Sequence, residues 1–172
     1  PRRFGCFLWS KDIDTHFLLK NLGPEPLGNS FSGDYLYYKS RKRKVPIKNF
    51  IMNSKVVVGV GNIYASEALF SAGIKPSCMA GKVPRKKYDL LAKEIVHILR
   101  KSIEEGGTTL RDFVGGDSKP GYFRQSLRVY GREGEECYEC FSIIKGKRIG
   151  QRASAYCCLL YTSDAADDLV CV

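Results

Sequence analysis

The sequence predicts a mainly α-helical body followed by a small β module, and three observations carry that expectation. Between about residues 32 and 105, apolar side chains recur at i, i+3 and i+4. From Gly121 onward the apolar residues come in short pairs separated by glycine-containing turns. Most of the cysteines crowd into that last part, where too few apolar residues remain to build a core without a staple such as a metal. With 44% apolar and 12% aromatic residues, the 172 positions suffice for one ordinary domain or two small ones. Such a composition excludes global disorder. No run approaches the ~18 apolar residues of a membrane helix, the best being Val56-Val57-Val58-Gly59-Val60, and no signal-peptide pattern opens the chain. The expectation is a soluble protein of the cytoplasm.

Taken in order, residues 1–22 open with an apolar, aromatic string (Phe4, Cys6, Phe7, Leu8, Trp9) that alternates weakly like a strand and looks like the end of something larger. Residues 23–34 collect Gly and Pro at the density of a linker. The helical body is expected over 35–120. Ser32 can cap a short helix through Tyr35 to Lys39, and Pro46 can sit in the first turn of another over Ile47 to Met52. Asn62 begins a third that Gly73 stops. The longest runs from about Pro84 to Glu105, with Tyr88, Leu91, Ala92, Ile95, Leu99 and Ile103 as its apolar stripe and Gly106-Gly107 as its end. Residues 121–157 form the β module, with Tyr122-Phe123, Leu127, Val129-Tyr130 and Ile143-Ile144 as its strand-like pairs. Residues 158–172, through Leu159-Leu160-Tyr161-Thr162-Ser163-Asp164, look like translated adapter sequence and are set aside from fold reasoning.

The net charge is +10, from 28 Lys+Arg against 18 Asp+Glu. Such a surface attracts polyanions, nucleic acid first. The charge is also clustered, with Lys39, Arg41, Lys42, Arg43, Lys44 and Lys48 in one short stretch. Shortly after it, Gly59-Val60-Gly61-Asn62 leads straight into a helix start, where outward N–H groups and the helix dipole suit a phosphate. A tight turn packed against a helix is the other reading. The segment Gly115 to Tyr122 reads either as a loop that closes over a ligand or as a plain connector. His16 and His97 have no catalytic partner at motif spacing, and no triad, Walker loop or dinucleotide fingerprint is present.

The seven cysteines are unevenly placed. Cys137-Tyr138-Glu139-Cys140, followed after sixteen residues by Cys157, matches part of a two-hairpin zinc module rather than a disulfide framework. The usual place of a fourth ligand, position 160, holds Leu160, while Cys158 and Cys171 are the remaining nearby thiols.

Several runs together resemble bacterial formamidopyrimidine-DNA glycosylases, which act on oxidised purines. They are Pro1-Arg2-Arg3-Phe4-Gly5, Leu22-Gly23-Pro24-Glu25-Pro26-Leu27, Val57 through Phe70, Gly106 through Phe113, Pro120-Gly121-Tyr122-Phe123, Val129-Tyr130-Gly131-Arg132 and Gly150-Gln151-Arg152. The likeness runs nearly continuously from Pro1 to Cys157. It implies a helix-two-turns-helix DNA-binding domain followed by a β-hairpin zinc finger, preceded by a remnant of the family's N-terminal β-sandwich. It further implies one structural Zn2+ on Cys137, Cys140 and Cys157, a double-stranded DNA partner carrying an oxidised purine or abasic site, and a monomer.

The resemblance also implies residue roles. Arg2 and Phe4 match the pair that fills the gap left by a flipped nucleotide. Lys44 and Lys48 match basic residues near the DNA backbone, and Asn62 matches a helix-start Asn on the flanking phosphates. Arg152 matches an Arg that grips phosphate and donates a proton in the last elimination. The segment around Val114 to Tyr122 matches the lid over the extruded base. The family's nucleophile is an N-terminal proline followed by Glu. Pro1 stands instead in the interior Pro-Arg-Arg-Phe motif, so this chain alone is expected not to excise bases. The competing expectation is a non-catalytic basic zinc-ribbon module that holds nucleic acid by backbone contacts only.

Overall fold

In the computed structural model, which describes residues 9, 11–12, 16–107 and 126–158, a helical body precedes a two-stranded hairpin, as the sequence predicts. The body comprises α1 (Gly33–Ser40), α2 (Ile47–Ile51), α3 (Asn62–Ser71) and α4 (Arg85–Glu104), with a 3-10 turn at Ala80–Lys82 ahead of α4. The hairpin pairs β1 (Lys145–Ile149) with β2 (Arg152–Tyr156) antiparallel, from Lys145 opposite Tyr156 to Ile149 opposite Arg152. The remnant strand up to Leu8, the lid segment and most of the tail fall outside the described residues.

Local chemistry sets the helix ends. Ser32 caps α1 by accepting from the Tyr35 N–H at 3.1 Å, which lets the helix begin at Gly33. Gly106 and Gly107, both at positive φ, end α4 and return their N–H groups to Ile103 and Ser102. The α4 stripe differs from its expected course. Tyr88, Leu91, Ala92 and Ile95 are buried as anticipated, but Ile98 and Ser102 continue the buried face while Ile103 is 65% exposed. A straight helix drifts relative to a fixed heptad, and the Ser102 hydroxyl is drawn inward by its bond to the Tyr64 hydroxyl at 2.9 Å. These residues pack with Leu36, Ile47, Phe50, Ile51, Val57 and Leu69 into one core. Part of the linker is also tied down, since Gly23 donates to Ser54 O and Val58 donates to Pro24 O. Cys78, buried in this core, is disulfide-bonded, a departure from the reduced thiols expected.

The strand positions require correction. Leu127 and Val129-Tyr130 form no strand, Ile143 makes an isolated bridge with Glu136, and Ile144 only precedes β1. The hairpin is instead the polar pair Lys-Gly-Lys-Arg-Ile and Arg-Ala-Ser-Ala-Tyr. Its register comes from the turn rather than from apolar alternation, because Gly150 (φ 53) and Gln151 (φ 63) are both left-handed, the geometry of a two-residue type I′ loop.

What holds Val129-Tyr130 is a side chain. The Glu67 carboxylate, 3% exposed on α3, accepts from the backbone N–H groups of Arg128 (2.9 Å), Val129 (3.0 Å) and Tyr130 (2.7 Å). These bonds satisfy both the buried charge and three buried donors. One turn on, Phe70 of α3 belongs to the β module's own core, with Val129, Cys137, Ile144, Ala155 and Cys157. Glu67→Ala leaves three buried N–H groups without a charged acceptor, and we expect a loss of about 2–5 kcal/mol in urea denaturation. A loss below ~1 kcal/mol would show that water replaces the carboxylate.

Candidate metal centre and nucleic-acid interface

The β module brings three of the cysteines together. The Sγ atoms of Cys137, Cys140 and Cys157 all lie within 4.8 Å of one another, and Cys140 and Cys157 are 3.2 Å apart. The turn that achieves this is tight. Cys137 N–H donates to Ser142 O, Phe141 N–H returns to Cys137 O, and Phe141 sits at φ 60. The Ser142 Oγ lies 3.0 Å from Cys140 Sγ and 3.2 Å from Cys157 Sγ. Burial pushes the Cys137 thiol up, against the pull of the Glu139 and Cys140 N–H groups, with smaller upward pushes from its hydrogen bonds with Cys157 and Cys140. A cation among the sulfurs would reverse that preference and favour thiolates. The donor set fits a soft or borderline metal ion: tetrahedral Zn–S bonds of ~2.3 Å place sulfurs about 3.8 Å apart, between the 3.2 Å of Cys140–Cys157 and the 4.8 Å within which all three lie. Leu160 and Cys171 lie outside the described residues.

The expected DNA-contacting residues separate into distinct environments. Lys44 is exposed in the segment that leads into α2, together with Lys42 and Arg43. Arg152 is exposed at the first position of β2, next to the hairpin turn. Asn62 opens α3, whose N-terminus has no side-chain cap, and among the described residues its buried Oδ1 has no hydrogen-bond partner. The first-turn N–H groups of a helix are donors suited to an anion, whereas the orphaned amide oxygen is an acceptor and calls for a donor. Arg2 and Phe4 fall outside the described residues.

Lys48 departs from expectation. It is fully buried on α2, where its Nζ donates to Ala153 O at 3.0 Å and Ser154 Oγ at 2.8 Å. Both acceptors belong to β2, so this ammonium joins the helical body to the hairpin and is turned away from solvent. Arg41 is likewise engaged, stacked 3.9 Å over the Tyr37 ring and bonded to Tyr37 O and Val83 O. Conversely, Lys145, Lys147 and Arg148 of β1 are exposed beside Arg152, and sequence reasoning passed over them. Their signal was a short basic run inside the module already assigned to zinc.

Burial lowers the Lys48 pKa to about 8 from its ordinary 10.5. Between those values the unfolded chain holds a proton that the folded chain releases, so this lysine's contribution to stability rises with pH there. In paired melts from pH 8 to pH 10, wild type is expected to gain on Lys48→Met by on the order of 2 kcal/mol. A flat difference would mean that the folded ammonium titrates as if solvated.

With this geometry in place, the comparisons with known proteins are consistent. The family model for the "Formamidopyrimidine-DNA glycosylase H2TH domain" matches residues 22–114. The chain is 61% identical over 157 residues to the formamidopyrimidine-DNA glycosylase of Stutzerimonas stutzeri, and 58% identical over 158 residues to that of Cellvibrio japonicus. In both cases the match covers 91% of this chain and 58% of the relative. Among solved structures, the MutM (Fpg) protein of Thermus thermophilus superposes with a TM-score of 0.78 at 32% identity, over 83% of this chain and 55% of that one. Lactococcus lactis Fpg, in complex with DNA containing an abasic site, gives 0.77 at 33% identity, over 84% and 53%. The chain therefore spans little more than half the length of these relatives, and it belongs to the formamidopyrimidine-DNA glycosylase family as the C-terminal part of such a protein.

Proposed function

We propose that this chain is the DNA-binding C-terminal part of a bifunctional glycosylase and abasic-site lyase that removes oxidised purines such as 8-oxoguanine and formamidopyrimidines from double-stranded DNA. The observation that carries the reading is the joining of two cationic pieces into one body. The exposed basic segment Lys42 to Lys44 runs into α2, and α2 directly supports the hairpin that exposes Lys147, Arg148 and Arg152. Phosphate contacts of this kind set register and orientation on a duplex. The N–H groups at the N-terminus of α3, where Asn62 stands, supply a further phosphate-binding element.

The parent reaction begins with extrusion of the damaged nucleotide, and Arg2 and Phe4 would fill the gap it leaves. An amine then attacks the sugar and successive eliminations cleave the strand, with Arg152 giving the final proton. The attacking proline belongs to a β-sandwich domain ahead of this segment, so the 172-residue chain alone should give no borohydride-trapped adduct with damaged DNA. In such a domain arrangement, 1–22 is the remnant of that sandwich, 23–34 the linker, 35–120 the helical DNA-binding domain and 121–157 the finger. The thiols of Cys137, Cys140 and Cys157 would hold one Zn2+, whose part is to fix the finger's fold rather than to take part in chemistry.

Two measurements test this reading. First, titration of the chain with an intact duplex and with one carrying an abasic-site analogue, at several salt concentrations, should show a preference for the damaged site. Arg152→Ala should weaken binding roughly tenfold and reduce the salt slope by about one phosphate. Equal affinity for both duplexes would instead favour a non-catalytic module that holds the backbone alone. Second, the purified chain should contain zinc by atomic absorption, and a chelator or Cys157→Ser should speed amide exchange in residues 137–157. A metal-free chain with unchanged exchange would remove zinc from the account.

A further inference from the structure

Among the described residues the Lys48 ammonium has no carboxylate at hydrogen-bonding distance, and its two acceptors there are a carbonyl and a hydroxyl. Stability alone does not call for such a group, because a buried ion is usually matched or bettered by an apolar side chain of similar volume. The placement of its acceptors does suggest a purpose. Ala153 follows Arg152 directly, and the Ser154 hydroxyl that accepts from Lys48 also reaches Arg152 O at 3.4 Å. On the other side of the turn, Asn49 of α2 packs so closely on Gly150 that an added Cβ would stand 2.1 Å from its Nδ2. Neighbouring residues of α2 thus grip the hairpin on both flanks of Arg152. An isolated two-stranded hairpin is marginal in water, so the position of Arg152 depends on that grip.

We propose that Lys48 is a positioning residue for Arg152, its buried ammonium latching β2 onto α2 so that Arg152 meets a DNA phosphate at a set distance from the basic segment preceding α2. The proposal rests on the reading of Arg152 as a DNA contact. It separates two roles that a basic residue in this run can have, since Lys48 acts on DNA only through the residue it holds.

A double-mutant cycle on the full 172-residue chain tests it, with wild type, Lys48→Met, Arg152→Ala and the double variant titrated against a duplex bearing an abasic-site analogue. Lys48→Met should raise Kd about tenfold when Arg152 is present and less than about twofold when it is absent. Hydrogen exchange should quicken at residues 152–156 in Lys48→Met while α4 stays protected. Equal losses in both Arg152 backgrounds would overturn the latch, since Lys48 would then bind phosphate itself or support the fold generally, and so would no loss at all. If Arg152→Ala leaves binding unchanged, the DNA-contact reading of Arg152 falls and the positioning role with it. An Arg152→Ala loss with additive Lys48→Met overturns the latch alone. Should Lys48→Met fail to fold, Ser154→Ala removes one acceptor and leaves the lysine intact. It should weaken binding about threefold in an Arg152-dependent way, and an Arg152-independent result overturns the proposal equally.

Discussion

The Glu67 carboxylate accepts three consecutive backbone N–H groups, and that contact decides where the β module stands relative to the helices. A hydroxyl or amide at the same place could not satisfy three donors converging from one segment, whereas a carboxylate offers two oxygens with about four lone-pair sites. The residue sits on α3, whose first residue is Asn62 and whose last turn carries Phe70 into the module's core. Ten residues of helix, about 15 Å long, therefore have a polar first turn, a carboxylate in the middle that clamps residues 128–130, and an aromatic end that seats the finger. Helices are stiff over that length, so the separation between that polar first turn and the finger is set by a single element.

The finger's core and its cysteine cluster share the same residues. Cys137 and Cys157 pack with Phe70, Val129, Ile144 and Ala155, and Cys140 lies at the margin. A module with so few apolar side chains cannot separate packing from ligation, which is why burial both raises the Cys137 thiol and excludes water from any ion held there. Arg132 closes the adjoining turn by stacking 3.4 Å from the Tyr138 ring centroid and bonding Arg128 O and Glu136 O. Cations at this end of the chain thus include structural donors as well as outward charges.

The helices were legible because their signals are local. Ser32, Pro84 and the Gly106-Gly107 pair each act within one turn, and the period of Tyr88, Leu91, Ala92 and Ile95 survives in the structure. The cysteine spacing was equally legible, since two knuckles can bring three sulfurs together with little dependence on what lies between. The strands were misplaced for the opposite reason. Lys145–Ile149 and Arg152–Tyr156 are polar and exposed on most positions, so no alternation marks them. Leu127 and Val129 look like strand residues because they are apolar and buried, yet their burial comes from α3 and Glu67, more than fifty residues away in sequence. Lys48 could not be told from Lys44 by sequence, because the partner that buries it, β2, lies about a hundred residues on.

This division bears on how the net charge should be interpreted. Of the basic run from Lys39 to Lys48, Arg41 and Lys48 face carbonyls, hydroxyls and an aromatic ring, while Lys42, Arg43 and Lys44 face solvent. Counting the run as a single electrostatic patch overstates the charges available to displace counterions from a duplex, and the salt dependence of binding counts only the available ones. The inward cations act by geometry, and their energies are short-range and little screened by salt because they sit out of water. On the proposed reading such an interface has two separable parameters: outward residues set how strongly a phosphate backbone is held, and inward ones set the spacing at which it is held. The spacing bears on discrimination between duplexes, because a duplex deformed at one step presents its phosphates at distances that a loosely mounted hairpin would accommodate as readily as it accommodates undamaged DNA.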